Sequence, residues 1–218
     1  MSIFEVKNTA FLDCPNNLFE DRPHLVKISS PEYPELLKNI FDPPRTLYIK
    51  GQIPKGKMIA VVGTRKMTRR GEQVTKRLVG QLVREGYIII SGMALGIDGV
   101  AHKTAIEAGG KTIAVLGAGV NVIYPPENEV LYFKILEFGG AIVSEIEPDK
   151  RVNKNMFPAR NRIISGMATA VVVIEGALKS GSLITARLAL EQGRDVFAVP
   201  GSEGTDYLIS QGAGILTA

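Results

Sequence analysis

Cysteine is nearly absent: Cys14 is the single one in 218 residues. A lone thiol closes no internal disulfide, which excludes a disulfide-stapled secreted domain. Histidine is almost as scarce, with His24 and His102 alone, so no Cys/His ligand cluster exists for a structural zinc. No apolar run approaches the ~18 residues that a spanning helix needs. The first stretch, Met1 to Cys14, lacks the basic-then-apolar order of a signal peptide. No membrane partner is expected, and the cytoplasm is the expected location. Neither the 23 glycines nor the 12 prolines are periodic, which excludes collagen-like and linker-like chains. What remains is ordinary for a globular protein: 45% apolar and 22% charged residues, in a chain long enough to bury a real core.

The net charge is only +4, but it is unevenly spread. Between Lys50 and Arg77 there are nine basic residues and one acid, Glu72, so that window carries +8 and the rest of the chain −4. Lys150, Arg151, Lys154, Arg160 and Arg162 form a second basic cluster, with Asp149 among them. A charge run by itself is ordinarily a solvated helix face. Concentrated positive charge on an otherwise mildly acidic protein also suits a polyanionic partner.

After residues 1–30, read as a short N-terminal extension, the core is expected over 31–218. Ser30 to Asp42 reads as a short helix stopped by Pro43-Pro44, and Thr46 to Lys50 as a strand. Strands are then expected at Met58 to Val62, Tyr87 to Ile90, Thr112 to Leu116, Ala141 to Ser144, Ala170 to Ile174 and Asp195 to Val199. Amphipathic helices are expected at Arg69 to Glu85, Ile97 to Ala108, Glu127 to Phe138 and Ser182 to Gln192. This alternation predicts an α/β fold, an extended Rossmann-like, mostly parallel sheet with helices on both faces. In such sheets ligands sit in the loops at the carboxyl ends of the strands.

Those loops are distinctive. The first ends in Gly63-Thr64-Arg65-Lys66, with a tight turn, a hydroxyl and a planar cationic fork suited to phosphate. The second is Ser91-Gly92-Met93-Ala94-Leu95-Gly96, leading into Asp98 and His102. Those two share a helix face, which reads first as a structural contact and second as an acid/base pair. Gly117-Ala118-Gly119 reads as a tight turn, because no helix opens directly after it. Phe157-Pro158-Ala159-Arg160-Asn161-Arg162 combines arginines with an aromatic ring, the pairing that grips single strands without reading sequence. A core role for Phe157, with the arginines paired to Glu145 or Glu175, is the structural alternative. Lys179-Ser180-Gly181-Ser182 opens a helix with hydroxyls and free amides, a third anion cradle. No Ser-His-Asp order, carboxylate pair or metal constellation accompanies these loops.

With Asp42-Pro43-Pro44, Val62-Gly63-Thr64-Arg65, Ser91 to Asp98, Tyr124-Pro125, Phe157 to Ile164, Lys179 to Ala186 and Val199-Pro200-Gly201 in order, the chain resembles the DprA/Smf family of bacterial DNA-processing proteins. The resemblance runs from about Tyr33 to Ala213. It implies single-stranded DNA binding, loading of RecA recombinase in transformation and recombination, a homodimer, no cofactor and no catalysis. The DNA site it implies comprises Gly63, Thr64, Arg65, Lys66, Ser91, Gly92, Lys154, Phe157, Arg160, Asn161, Arg162, Lys179, Ser180, Gly181 and Ser182. Asp206 stands where the family usually shows Asn. Many members add an N-terminal helical or a C-terminal winged-helix-like domain; here only the short extension precedes the core and the chain stops at Ala218.

Two other functions compete. A nucleotide sensor or a nucleoside-monophosphate N-glycosidase would use the same strand ends, but those hydrolases resemble one another in a P-G-G-x-G-T-x-x-E loop. Lys179 to Ala186 lacks its paired glycines and its trailing Glu. A structural adaptor whose basic face meets an acidic protein would leave the convergent anion loops without a purpose.

Overall fold

The computed structural model describes residues 22–151 and 156–217. Cys14 and Lys154 lie outside the described residues. The described residues form one mixed sheet of nine strands in the order β1-β2-β6-β5-β4-β3-β7-β8-β9. In chain order the strands are β1 (His24–Lys27), β2 (Thr46–Gly51), β3 (Met58–Val62), β4 (Ile88–Ser91), β5 (Thr112–Val115), β6 (Ala141–Ser144), β7 (Ala170–Val173), β8 (Asp195–Ala198) and β9 (Gly214–Ile215). Only β2 runs against the rest, pairing antiparallel with β1 on one side and β6 on the other. The helices are α1 (Glu35–Lys38), α2 (Arg69–Arg84), α3 (Ile97–Glu107), α4 (Glu129–Glu137), α5 (Met156–Met167), α6 (Gly181–Glu191) and α7 (Glu203–Ser210), with a 3-10 turn at Pro126–Asn128.

Burial follows from strand alternation, because successive side chains point to opposite faces of the sheet. Ala60 and Val62 of β3 join Leu37, Ile163, Ile164, Ala186 and Leu208 in a core beneath α1, α5, α6 and α7. Ile59 and Val61 join Leu78, Val79, Ile97 and Ala101 beneath α2 and α3. A smaller cluster, with Ile106, Tyr132, Ile135 and Ile142, seats α4. Every residue of β3 is buried, as expected of a strand covered on both faces.

The expected Rossmann-like architecture is present. The helix read over Ser30 to Asp42 shrinks to the single turn of α1. Pro31 and Pro34 restrict the residues ahead of them, and helix formation there fails. Strand β1 falls inside the stretch read as an extension. Helices α5 and α7 and strand β9 add to the expected elements. Asp206 lies in α7, where its Oδ1 accepts from Gly201 N at 2.8 Å. An Asn oxygen could accept the same bond.

Strand order reverses at β3: the chain first builds β3, β4, β5 and β6 to one side, then β7, β8 and β9 to the other. The crevice at such a switch point is where open α/β sheets place their ligands.

Candidate functional site

Backbone hydrogen bonds lace the loops after β3, β4 and β7 together. Thr64 N donates to Glu175 O at 2.7 Å, tying the β3 loop to the β7 loop. Ile97 N donates to Thr64 O at 3.2 Å, tying in the β4 loop. The approach is close enough that a Cβ on Gly96 would lie 2.3 Å from Thr64 O, and Gly96 also has φ +78°. Only glycine meets both demands there. From the far side, Asn128 Nδ2 donates to Met93 O at 2.8 Å and holds the β4 loop in place.

The laced loops enclose a hollow of about 560 Å³. Gly63, Thr64 and Arg65 form one wall, Phe157, Arg160 and Asn161 of α5 a second, and Ser180, Gly181 and Ser182 a third. A side recess of about 70 Å³ continues it under Arg65, Gly92, Tyr124 and Phe157. Ser180 caps α6, its side chain accepting from Leu183 N at 3.4 Å, and its Oγ lies 2.8 Å from Ser182 Oγ. The first amides of α6 therefore open at the hollow, where a helix N-terminus favours an anion. At the mouth the Arg65 guanidinium carbon stands 5.4 Å from the centre of the Phe157 ring. Tyr124, 44% exposed, tilts against that ring with centroids 5.7 Å apart.

Beneath the mouth lie two buried side chains of opposite charge, each held by backbone groups. Arg160 is 6% exposed and its Nη1 donates to Gly92 O at 2.7 Å and to Val115 O. A Cβ on Gly92 would fall 2.5 Å from that guanidinium, so the arginine uses the room glycine leaves. Asp98 accepts from Gly92 N at 3.2 Å and from Ala94 N at 3.4 Å. Burial pushes the Asp98 carboxyl above the ordinary aspartate range, against the pull of Arg160. Burial likewise pushes Arg160 down to about 10, with Asp98 opposing and Arg65 assisting. Asp98 is the hollow's one carboxylate among the described residues, and it is engaged.

Not every expected site residue joins the hollow. Arg162 is turned away: its Nη1 and Nη2 donate to the Glu145 carboxylate at 2.8 and 2.7 Å, and its Nε to Asp42 O at 3.0 Å. A bidentate carboxylate satisfies a guanidinium fork, so the acid pairing weighed for the arginines holds here. Ser91 is fully buried and donates to Val61 O at 2.7 Å, which makes it a strut under the loop. Lys66 and Lys179 are exposed and outside the lining. Tyr124 and Asp98 line the hollow without having been expected in it.

The expected Asp98–His102 contact also gives way. His102 is fully buried and its Nδ1 lies 2.7 Å from Thr112 Oγ1. Because that hydroxyl donates to Ile89 O at 2.8 Å, it accepts from His102, which fixes the proton on Nδ1 and leaves Nε2 buried without a partner. Burial, then the Arg160 charge, pushes His102 down to about 3. The unfolded chain takes this proton below about pH 6.5 and the folded chain refuses it. The stability is therefore full above that pH and drains as pH falls towards 3, at up to about 1.4 kcal/mol per pH unit. His102→Asn keeps a donor for Thr112 and removes the titration. Urea unfolding at a series of pH values between about 7 and 5 is expected to show this slope in the native protein and its loss in the variant. Parallel slopes would contradict the assignment. The raised Asp98 acts with the opposite sign, its contribution being lost as pH rises, but both proteins carry it and it cancels.

Fold and site together define a class: a Rossmann-like binding fold whose switch-point hollow combines an open helix N-terminus, an exposed cation and a ring platform. Among the described residues there is no cluster of potential metal ligands, and no helix is long and apolar enough to cross a membrane. The family model for DNA recombination-mediator protein A matches residues 24–218, and the chain belongs to that family. It is 47% identical over 197 residues to DNA processing protein DprA of Bacillus subtilis, covering 86% of this chain and 66% of that protein. It is 45% identical to Protein Smf of Escherichia coli, covering 95% of this chain and 56% of the relative. The chain thus spans between about half and two thirds of the length of these relatives. Among solved structures, DprA of Streptococcus pneumoniae superposes with a TM-score of 0.83 at 40% identity, covering 90% of this chain and 72% of the other. DNA processing protein A of Helicobacter pylori, described for its single-stranded DNA binding mode, gives 0.81 at 31% identity, covering 91% and 93%. A molybdenum cofactor binding protein from Rippkaea orientalis, at 18% identity and 0.56, shares the fold alone.

Proposed function

We propose that this chain is a sequence-independent single-stranded DNA-binding module that protects incoming strands and helps load RecA recombinase. The carrying observation is the convergence of the three loops on one hollow with Arg65 set over Phe157. Phosphate oxygens meet the amides of α6, the hydroxyls of Ser180 and Ser182 and the Arg65 fork, while a base lies on the ring. Gly63, Thr64, Gly92, Asn161 and Gly181 shape the walls. Exposed Lys66 and Lys179 add field from the rim, and Lys154 belongs to the same proposed set. The reading is a non-catalytic one, and it draws support from Asp98 being held by backbone amides and from His102 being buried on the inner side of α3. Recombinase loading draws support from the family's description as a recombination mediator, and the homodimer rests on the sequence resemblance. A cytoplasmic location goes with both.

Fluorescence anisotropy with labelled oligothymidylates across a salt series tests the reading. Binding is expected at low salt and is expected to weaken with a log–log slope of about −2 or steeper, as for three or more phosphates on a single strand. Absence of binding at low salt, or binding indifferent to salt, would overturn it. Release of free base from nucleoside monophosphates would overturn the non-catalytic part.

A further inference from the structure

Helix α2 carries charge that its own stability does not explain. Arg69, Arg70, Lys76, Arg77 and Arg84 are exposed along it. Arg70, Arg77 and Arg84 are seven residues apart. At about 1.5 Å per residue that is about 10.5 Å per step, and the row drifts by only ~20° per heptad. They therefore form a nearly straight line along the helix, while Arg69 and Lys76 stand about 100° round the helix from it.

Two exposed cations on other helices have acidic partners one turn away, while Lys38 of α1 and Lys134 of α4, single cations on their helices, stand within ion-pair distance of no acid among the described residues. Lys103 pairs with Glu107 on α3 at 3.8 Å, and Arg187 with Glu191 on α6 at 3.5 Å. That is the usual arrangement of a solvated face. On α2 only Lys76 has such a partner, Glu72 at 2.5 Å. Among the described residues Arg69, Arg70, Arg77 and Arg84 stand within ion-pair distance of no acid. Moreover, Arg69 and Arg70 occupy the first turn, where the helix dipole disfavours cations. Their placement costs the helix stability, so its reason lies outside the helix.

The line is continuous with the hollow. Arg65 stands at the mouth, exposed Lys66 follows, and Thr68 caps α2 immediately before Arg69. We infer that the outer face of α2 is a second, purely electrostatic track that takes the phosphates of a nucleic-acid strand as it leaves the hollow. A strand lying along the helix would carry its successive phosphates past three guanidinium groups spaced about 10.5 Å apart. A planar guanidinium suits such contacts better than an ammonium. The inference rests on the hollow's reading as a single-strand site.

The test compares Arg70→Gln/Arg77→Gln/Arg84→Gln with the native chain on two oligothymidylates, one of about six nucleotides that the hollow can fill and one of about twenty. The six-mer is expected to bind both proteins within about twofold, because the track is never reached. The twenty-mer is expected to bind the variant at least about fivefold more weakly, with a salt slope shallower by about two, from roughly 0.7 per lost phosphate contact. Arg187→Gln, a lost charge on a different helix, is expected to change neither. All three arginines are exposed, and an unchanged thermal melt confirms the fold. Unaltered twenty-mer affinity and slope would overturn the track and leave the stripe to an acidic protein partner. Equal weakening of both lengths would overturn it as well, since general field would then suffice. No binding of either length by the native chain would sink the hollow's reading itself, and a silent triple variant on a binding background would sink the track alone.

Discussion

Replacing Arg160 by Met is expected to lower the unfolding free energy by about 3–5 kcal/mol, because two buried carbonyls lose a charged donor and the buried Asp98 loses its nearby counter-charge. The guanidinium is 6% exposed, and it donates to the carbonyls of Gly92 and Val115 while offsetting the buried Asp98. Met fills similar volume, so the loss reports charge and hydrogen bonds rather than a cavity. Asp98→Asn in the same background still accepts from Gly92 and Ala94 and removes the uncompensated carboxylate. The double variant is expected to regain about 1 kcal/mol or more over Arg160→Met. Urea denaturation with an unchanged m-value is the measurement. A double variant no more stable than the single would show that Asp98 does not depend on Arg160. The result also bears on binding assays: an Arg160 variant that fails to bind DNA has lost the floor of the hollow, and its failure does not assign a phosphate contact.

That distinction was hidden at the level of sequence. Arg160 and Arg162 stand two residues apart in a segment rich in Arg, Asn and Pro, and read as a single basic patch. Once the segment is a helix, residues i and i+2 point to different sides and cannot share a ligand. One arginine goes under the hollow, the other to Glu145 and Asp42. The helix itself was illegible because its inward face is polar: Arg160, Asn161 and Ser165 are buried along with Ile163 and Ile164, which breaks the apolar period. Pro158 misleads as well, although in the first turn its missing N–H breaks no bond. By contrast β3 to β8 were legible, since strands covered on both faces read as short apolar runs between helical patterns. The loops after β3, β4 and β7 were legible for the same reason, because strand polarity puts them at one edge. Edge strands β1 and β9 are short and largely exposed, and leave little pattern to read. Asp98 and His102 share a helix face as expected, yet the first-turn carboxylate finds closer donors in the loop behind it.

Arg65→Ala is expected to weaken single-strand binding by roughly ten- to a hundredfold, the range of a lost charge-assisted contact of about 1.5–3 kcal/mol. The effect is expected to be equal on dT, dC and dA oligomers, because phosphates carry no sequence, and to flatten the salt slope by about 0.7. Phe157→Ala is expected to cost about tenfold with the slope unchanged, since stacking a base releases no counterion. The two side chains also touch each other at 5.4 Å, so the ring positions the fork. The double variant should then lose less than the sum, by a coupling of about 0.5–1 kcal/mol. Phe157→Tyr retains the ring and is expected to bind normally. Strict additivity would show that the ring and the fork act on separate parts of the strand. Salt dependence and affinity that survive Arg65→Ala unchanged would remove this arginine from the interface, and with it the cation that makes the hollow a site for a nucleotide chain.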